Sequence, residues 1–193
     1  EALQGLLDGL GRGKGQVTTD EEGRRQAISL LSSPSGKVRL LALKLAGTLG
    51  FQDSPAIQTA FEAASNDAVN VDQSIELRRA SIALLSSAPY DTLQPVATRL
   101  LDFRQPVDLQ LATVTALTSS NREEVASVLL ADFEQRSPGV QKAILDAMFR
   151  RDNRLPALLE ALEQETVMPA SLGSLQRIRL LEHSDPAIRK RST

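Results

Sequence analysis

The sequence predicts an all-α protein, a right-handed α-solenoid of about five stacked helix pairs. Three observations carry that expectation. One unit recurs: with Val38, Leu77, Leu109 and Val140 set equivalent, Leu41, Ala80, Ala112 and Ala143 align three residues on, and Leu43, Ile82, Val114 and Leu145 five residues on. The copies lie 39, 32 and 31 residues apart, and a helix pair of that size cannot bury its apolar stripe alone, so successive pairs must stack. Apolar residues make up 41% of the chain, with 3% aromatics and neither Cys nor Trp; such a core of Leu, Ala, Val and Ile favours helices at small separations. No segment reads as a strand.

The cleanest copy of the unit runs from Ser137 to Arg151. Ser137 offers a hydroxyl to an orphan backbone N–H at a helix start, and Pro138 takes the first helical position. Val140, Ala143, Ile144, Ala147 and Met148 then fall at i, i+3, i+4, i+7 and i+8, an apolar stripe on one face.

In chain order, residues 1–17 read as the end of one helix, with Leu3, Leu6, Leu7 and Leu10 at helical spacing, followed by a connector containing Gly9, Gly11, Gly13 and Gly15. Lys14 beside those glycines invites comparison with a phosphate cradle. The loop follows a helix rather than a strand, however, and lacks the Gly-Lys-Ser/Thr ending that the chemistry needs. Five units follow, at 18–50, 54–88, 90–120, 121–152 and 153–193. Thr18, Thr19 and Asp20 supply the first N-cap, with Glu21 and Glu22 at the positive end of the helix dipole and Ala27, Ile28, Leu30 and Leu31 inward. The second helix of this pair begins near Ser35. Ser54-Pro55 caps and opens a helix with Ile57, Ala60, Phe61 and Ala64 inward, and Asn66-Asp67 begins a longer loop. Ser74 opens the next helix. Asp91 caps a helix from Thr92 to Phe103, with Pro95 near its start, and Asn121 caps one with Val125, Val128, Leu129 and Phe133 inward. Leu155 to Gln164, a break at Met168-Pro169 and a short helix from Ser174 to Glu182 complete the reading. Asp185-Pro186-Ala187-Ile188-Arg189 starts the second helix of the unit once more. Only a few residues follow it, and so short a helix is marginal alone; the natural polypeptide is expected to continue beyond Thr193.

A net charge of −2 gives no bulk attraction to nucleic acid or acidic lipid. No run of apolar residues is long enough to span a membrane, and no signal-peptide layout opens the chain. Without cysteine there is no disulfide framework, thiolate metal site or cysteine nucleophile. His183 is the only histidine; at a helix end it is expected to cap the last carbonyls, since a metal site or a catalytic triad would need partners the sequence does not supply. The carboxylate pairs Glu123 with Glu124, and Glu160 with Glu163, read as solvated first-turn or surface charges. Arg150, Arg151 and Arg154, with Arg177, Arg179, Arg189, Lys190 and Arg191, make nucleic-acid binding on a basic face the alternative class.

The aligned positions resemble the HEAT family of α-solenoid repeats, whose second helix begins Asp-Pro-x-Val-Arg. Asp185-Pro186-Ala187-Ile188-Arg189 matches throughout, Pro138 keeps the proline, Arg39 and Arg78 keep the arginine, and Gln110 and Gln141 depart from it. The resemblance implies a ladder of those arginines with carboxylates of neighbouring repeats, interrupted at the two glutamines. A second resemblance covers LGSLQRIRLLEHSDPAIRKRS at Leu172 to Ser192, with Leu6-Leu7-Asp8-Gly9-Leu10 at the other end. These segments are similar to the helical-repeat region of bacterial membrane-bound dehydrogenases, in which a β-propeller precedes it and a c-type haem domain follows. The implication is a spacer and docking scaffold, extracytoplasmic, in a redox protein. The haem attachment motif is absent, so no cofactor is expected in this segment. The expected task is a non-catalytic one, presenting a surface to another protein or to other domains of the same polypeptide. Candidate contacts are the polar positions Arg39, Lys44, Arg78, Arg79, Gln110, Gln141 and Lys142 on the second helices.

Overall fold

The computed structural model describes Gly5 and residues 19–192. Among these residues the protein is all-helical and contains no strand. Packing divides the chain into two compact units, Glu1–Val96 and Ala97–Thr193, the division falling within a helix.

In the first unit, α1 (Glu21–Ser29) and a 3-10 turn (Leu30–Ser32) lead to α2 (Gly36–Thr48); α3 (Pro55–Val69) and α4 (Ile75–Leu85) follow, then the start of α5 (Tyr90–Leu100). The helix starts follow from capping side chains. Asp20 Oδ1 accepts from Gly23 N–H at 2.8 Å, and Ser35 and Ser74 cap α2 and α4 through Val38 and Leu77. α1 packs on α2, α3 on α4 and α2 on α4. The apolar stripes meet there, with Ala42, Ala46, Ile57, Ala64, Ile82 and Leu85 all buried. Gly36 marks the closest approach of α2 to α4: a Cβ there would stand 3.2 Å from Ala83 Cβ and 3.3 Å from Ala80 Cα.

The second unit runs through α6 (Val107–Thr118), α7 (Glu124–Leu130), α8 (Pro138–Met148), α9 (Leu155–Glu163), α10 (Ser174–Leu181) and α11 (Pro186–Arg191), with 3-10 turns at Phe133–Gln135, Asp152–Arg154 and Pro169–Ser171. α6 packs on α8, α7 on α9, and α11 on both α9 and α10. Six residues suffice for α11 because Asp185 caps it through Ala187 N–H and Ile188 is buried.

Three local expectations are corrected. Asn66 and Asp67 lie inside α3, which continues because Ala68, fully buried, is its next inward position. α5 starts at Tyr90, where Pro89 carbonyl accepts from Thr92 and Leu93, so Pro95 is interior to the helix. Expected caps are missing at three starts: Ser54 and Ser137 form no side-chain cap although each precedes a helix, where proline at the first position presets the backbone, and α7 begins at Glu124 with Glu123, not Asn121, at its N-cap position and no capping side chain.

Candidate interaction surface and its basic residues

A long side chain near a helix start leans back toward the N-terminus, because every Cα–Cβ bond tilts that way. At one register of the repeated unit this brings a donor onto the segment before the helix, a loop or turn in four cases and the last turn of α3 in the case of Arg78. Arg39 Nε donates to Ser33 carbonyl, Arg78 Nε to Ala68 carbonyl at 3.0 Å, Gln110 Nε2 to Gln105 carbonyl at 2.8 Å, and Gln141 Nε2 to Phe133 carbonyl at 3.1 Å. Arg189 does the same to His183 and Ser184 carbonyls. Arg39 also donates to Ser81 Oγ on α4 at 3.0 Å. Arg39, Arg78 and Gln110 are only 3%, 4% and 2% exposed, so they hold loops and are not surface residues. Burial pushes the Arg39 and Arg78 guanidiniums below their ordinary range, with Asp67 opposing the shift at Arg39. The bonds of Arg39 and Arg189 run to carbonyls and a hydroxyl rather than to a carboxylate ladder.

The remaining candidates do face solvent. Lys44 on α2 and Arg79 on α4 are exposed and their cationic groups have no partner among the described residues. Lys142 is exposed and bonded to Asp146 at 2.8 Å, while Gln141 is half-buried.

Two arginines that sequence reasoning did not place are central to the second unit. Arg136 donates to Leu101 and Leu129 carbonyls at 3.0 and 2.7 Å. Arg154, counted with the basic cluster in the sequence, is fully buried and donates to Ala147, Ser120 and Leu117 carbonyls at 2.9, 2.7 and 3.3 Å. Burial lowers both guanidiniums, and Arg151 and Arg150 lower Arg154 further. The segments after α6, α7 and α8 contain no glycine, the residue that most often closes a helix by a left-handed cap, but that absence does not say which side chain reaches the last carbonyls, and after α7 Asp132 takes the left-handed position itself.

Other charges are likewise engaged locally. Arg179 pairs with Asp152 at 2.9 Å, and Arg191 makes two bonds to Glu163 at 2.8 and 2.9 Å, which hold the Glu163 carboxyl below its usual range. Glu123, Glu124 and Glu160 are exposed. His183 is buried, and instead of capping the last carbonyls of α10 its Nδ1 accepts from Asp185 N–H at 3.1 Å, with its Nε2 3.6 Å from Asp152. No group of three or more His, Asp or Glu residues that could hold a metal occurs among the described residues. The Gly9 to Gly15 connector lies outside them. Within them no helix is long and apolar enough to cross a membrane.

Among the described residues the second unit has hollows at two places at least. One, of about 260 Å³, lies among α9, α10 and α11 and is lined mainly by leucines. Another is shallow and open, between Phe149 and Arg150 on one side and Leu175 and Arg179 on the other. Ser192 and Glu163 both line the first, but Ser192 Oγ donates to Ile188 carbonyl at 2.7 Å and Glu163 is bonded to Arg191. No protein-family model matches this chain, and no curated protein or solved structure matches it either.

Proposed function

We propose that this chain is a non-catalytic helical-repeat scaffold, a right-handed α-solenoid of about five HEAT-like helix pairs that presents a surface to a partner protein or to other domains of its own polypeptide. The observation that carries the reading is the shared donor position. Arg39, Gln110, Gln141 and Arg189 occupy one register and tie the segment entering the helix to it, and Arg78, at the same register, reaches back to Ala68 carbonyl in the last turn of α3. A unit repeated down to its loop bonds is what an array requires and what a single catalytic cleft does not. Helix contacts within each unit support the stack, since α2 meets α4 and α6 meets α8, second helix on second helix, while α7 meets α9, first on first. The resemblance of Leu172 to Ser192 to dehydrogenase repeat regions supports an extracytoplasmic redox parent, with no cofactor in this segment. Against a nucleic-acid face stand the burial of Arg154 and the pairing of Arg179 and Arg191 with carboxylates.

The test is removal of residues 153–193 followed by urea unfolding. A stack loses one unit's contacts and keeps its remaining helices, with a smaller dependence on urea in proportion to the lost surface. Collapse of the entire helical signal in the shortened chain would show one indivisible domain and end the array reading.

A further inference from the structure

Helix α10 carries apolar side chains on the side turned away from its own core contact. Leu180 is buried, whereas Leu175, Ile178 and Leu181 are 82%, 48% and 48% exposed. They stand at i, i+3 and i+6, so they share a face. Three of the seven large hydrophobics left exposed among the described residues thus gather on one eight-residue helix, where single scattered ones would need no explanation. Leu181 also edges the cavity of about 260 Å³, whose walls include Leu159, Leu162, Leu172 and Leu180. At its mouth Arg191 is held by Glu163, but exposed Arg177 has no polar side-chain partner among the described residues.

We propose that this face and cavity bind one amphipathic helix of a partner protein, apolar along the contact and carrying Asp or Glu beside it. The proposal rests on the scaffold reading and gives it a place and a partner chemistry. The stripe has helical spacing and borders a concave apolar wall, the arrangement that accepts a helix in a groove. The charge is complementary: Leu172 to Ser192 contains five basic and two acidic residues, and although Arg179 and Arg191 are already paired with Asp152 and Glu163, a carboxylate beside the apolar face would give Arg177 its partner. A second copy fits less well. A two-fold contact would bring like guanidiniums together, and a stable dimer takes roughly 800 Å² from each chain, more than three part-exposed side chains and one cavity offer. A bilayer surface is flat and cannot fill the cavity, and exposed Glu182 beside Leu181 opposes anionic headgroups.

The experiment pans a displayed library of helical peptides against the intact chain and measures the winners by fluorescence polarisation. The expected winners repeat apolar residues at i, i+3 or i+4, and i+7, with Asp or Glu alongside. Ile178→Asp should weaken them about tenfold or more, and Leu175→Asp similarly; Arg177→Gln should weaken them about threefold or more. Both apolar changes are at exposed positions, and an unchanged circular dichroism spectrum checks the fold. No enriched peptide, winners rich in Lys or Arg, or affinity indifferent to Ile178→Asp would overturn the proposal. So would dimerisation in sedimentation, or binding to phosphatidylserine vesicles, that Ile178→Asp abolishes, since either gives the face another occupant. Peptides displaced instead by Lys44→Glu with Arg79→Glu would overturn it while leaving the scaffold reading intact.

Discussion

Arg154 is a buried cation whose counter-charge is made of helix ends. Its guanidinium meets carbonyls that close α6 and α8, and each helix C-terminus carries roughly half a negative charge. Arg154→Met keeps the volume and removes the donors. An unpaired buried carbonyl costs about 1–3 kcal/mol; with partial relaxation, a total loss of about 3 kcal/mol is expected in urea unfolding. Arg150→Gln, at an exposed position, should move stability by no more than about 0.5 kcal/mol. Equal losses at the two positions would contradict the assignment. Asp102 supplies a second residue-scale prediction. Arg104 donates to it from Nε, Nη2 and the backbone N–H, at 2.9, 2.7 and 2.9 Å, and the guanidinium bonds foremost lower its pKa from 3.8 to about 2. Because the folded value lies below the unfolded one, the stabilisation is present above the ordinary carboxyl range and disappears as pH falls toward 2. A carboxyl-carbon NMR titration should show that low midpoint and its return toward the ordinary value in Arg104→Gln. An ordinary midpoint in the unsubstituted protein would mean the pair does not form in solution.

At the scale of elements, α2 and α9 end by the same device with different residues. Phe51 N–H returns to Ala46 carbonyl and Gly50 N–H to Gly47, and Thr166 N–H returns to Ala161 carbonyl and Glu165 N–H to Leu162. The pivot is left-handed in both, Gly50 at φ 75° and Glu165 at φ 59°. An L side chain is strained there and glycine is not. Glu165→Gly should therefore raise stability by about 0.5–1 kcal/mol, and Gly50→Ala should lower it by about 1 kcal/mol, both read from urea midpoints. A loss on Glu165→Gly would show that the side chain contributes more than its backbone strain removes. Helix starts were the more legible ends, since Asp20, Ser35, Ser74 and Asp185 announce their caps chemically. Ends were less legible. Asn66 and Asp67 look like a loop but only face away from the helix's buried side, and nothing local to them reveals that Ala68 is the next inward position.

For the whole molecule, the all-helical character was legible and the direction of the polar side chains was not. Hydrophilicity marked Arg39, Arg78 and Gln110 as surface, yet the backward lean of a side chain near a helix start turned them onto buried carbonyls. Arg136 and Arg154 were illegible for a related reason: the carbonyls that need them come from segments up to 35 and 37 residues away. The burial of Arg154 and the local pairing of its neighbours weigh against the nucleic-acid alternative. A protein that neutralises six to ten phosphates loses about 10³–10⁵ in affinity between 50 and 200 mM salt. Here Arg154 is buried, Arg179 and Arg191 are paired with carboxylates, and Arg189 is bonded to carbonyls. Binding to a mixed-sequence DNA duplex should accordingly be weak, with log K falling against log salt by a slope no steeper than about −3, the value for some three phosphate contacts. Arg150→Glu combined with Arg151→Glu should leave that slope within about one unit. A slope of about −6 or steeper, relieved by the double change, would instead make the basic cluster a nucleic-acid contact and displace the scaffold reading.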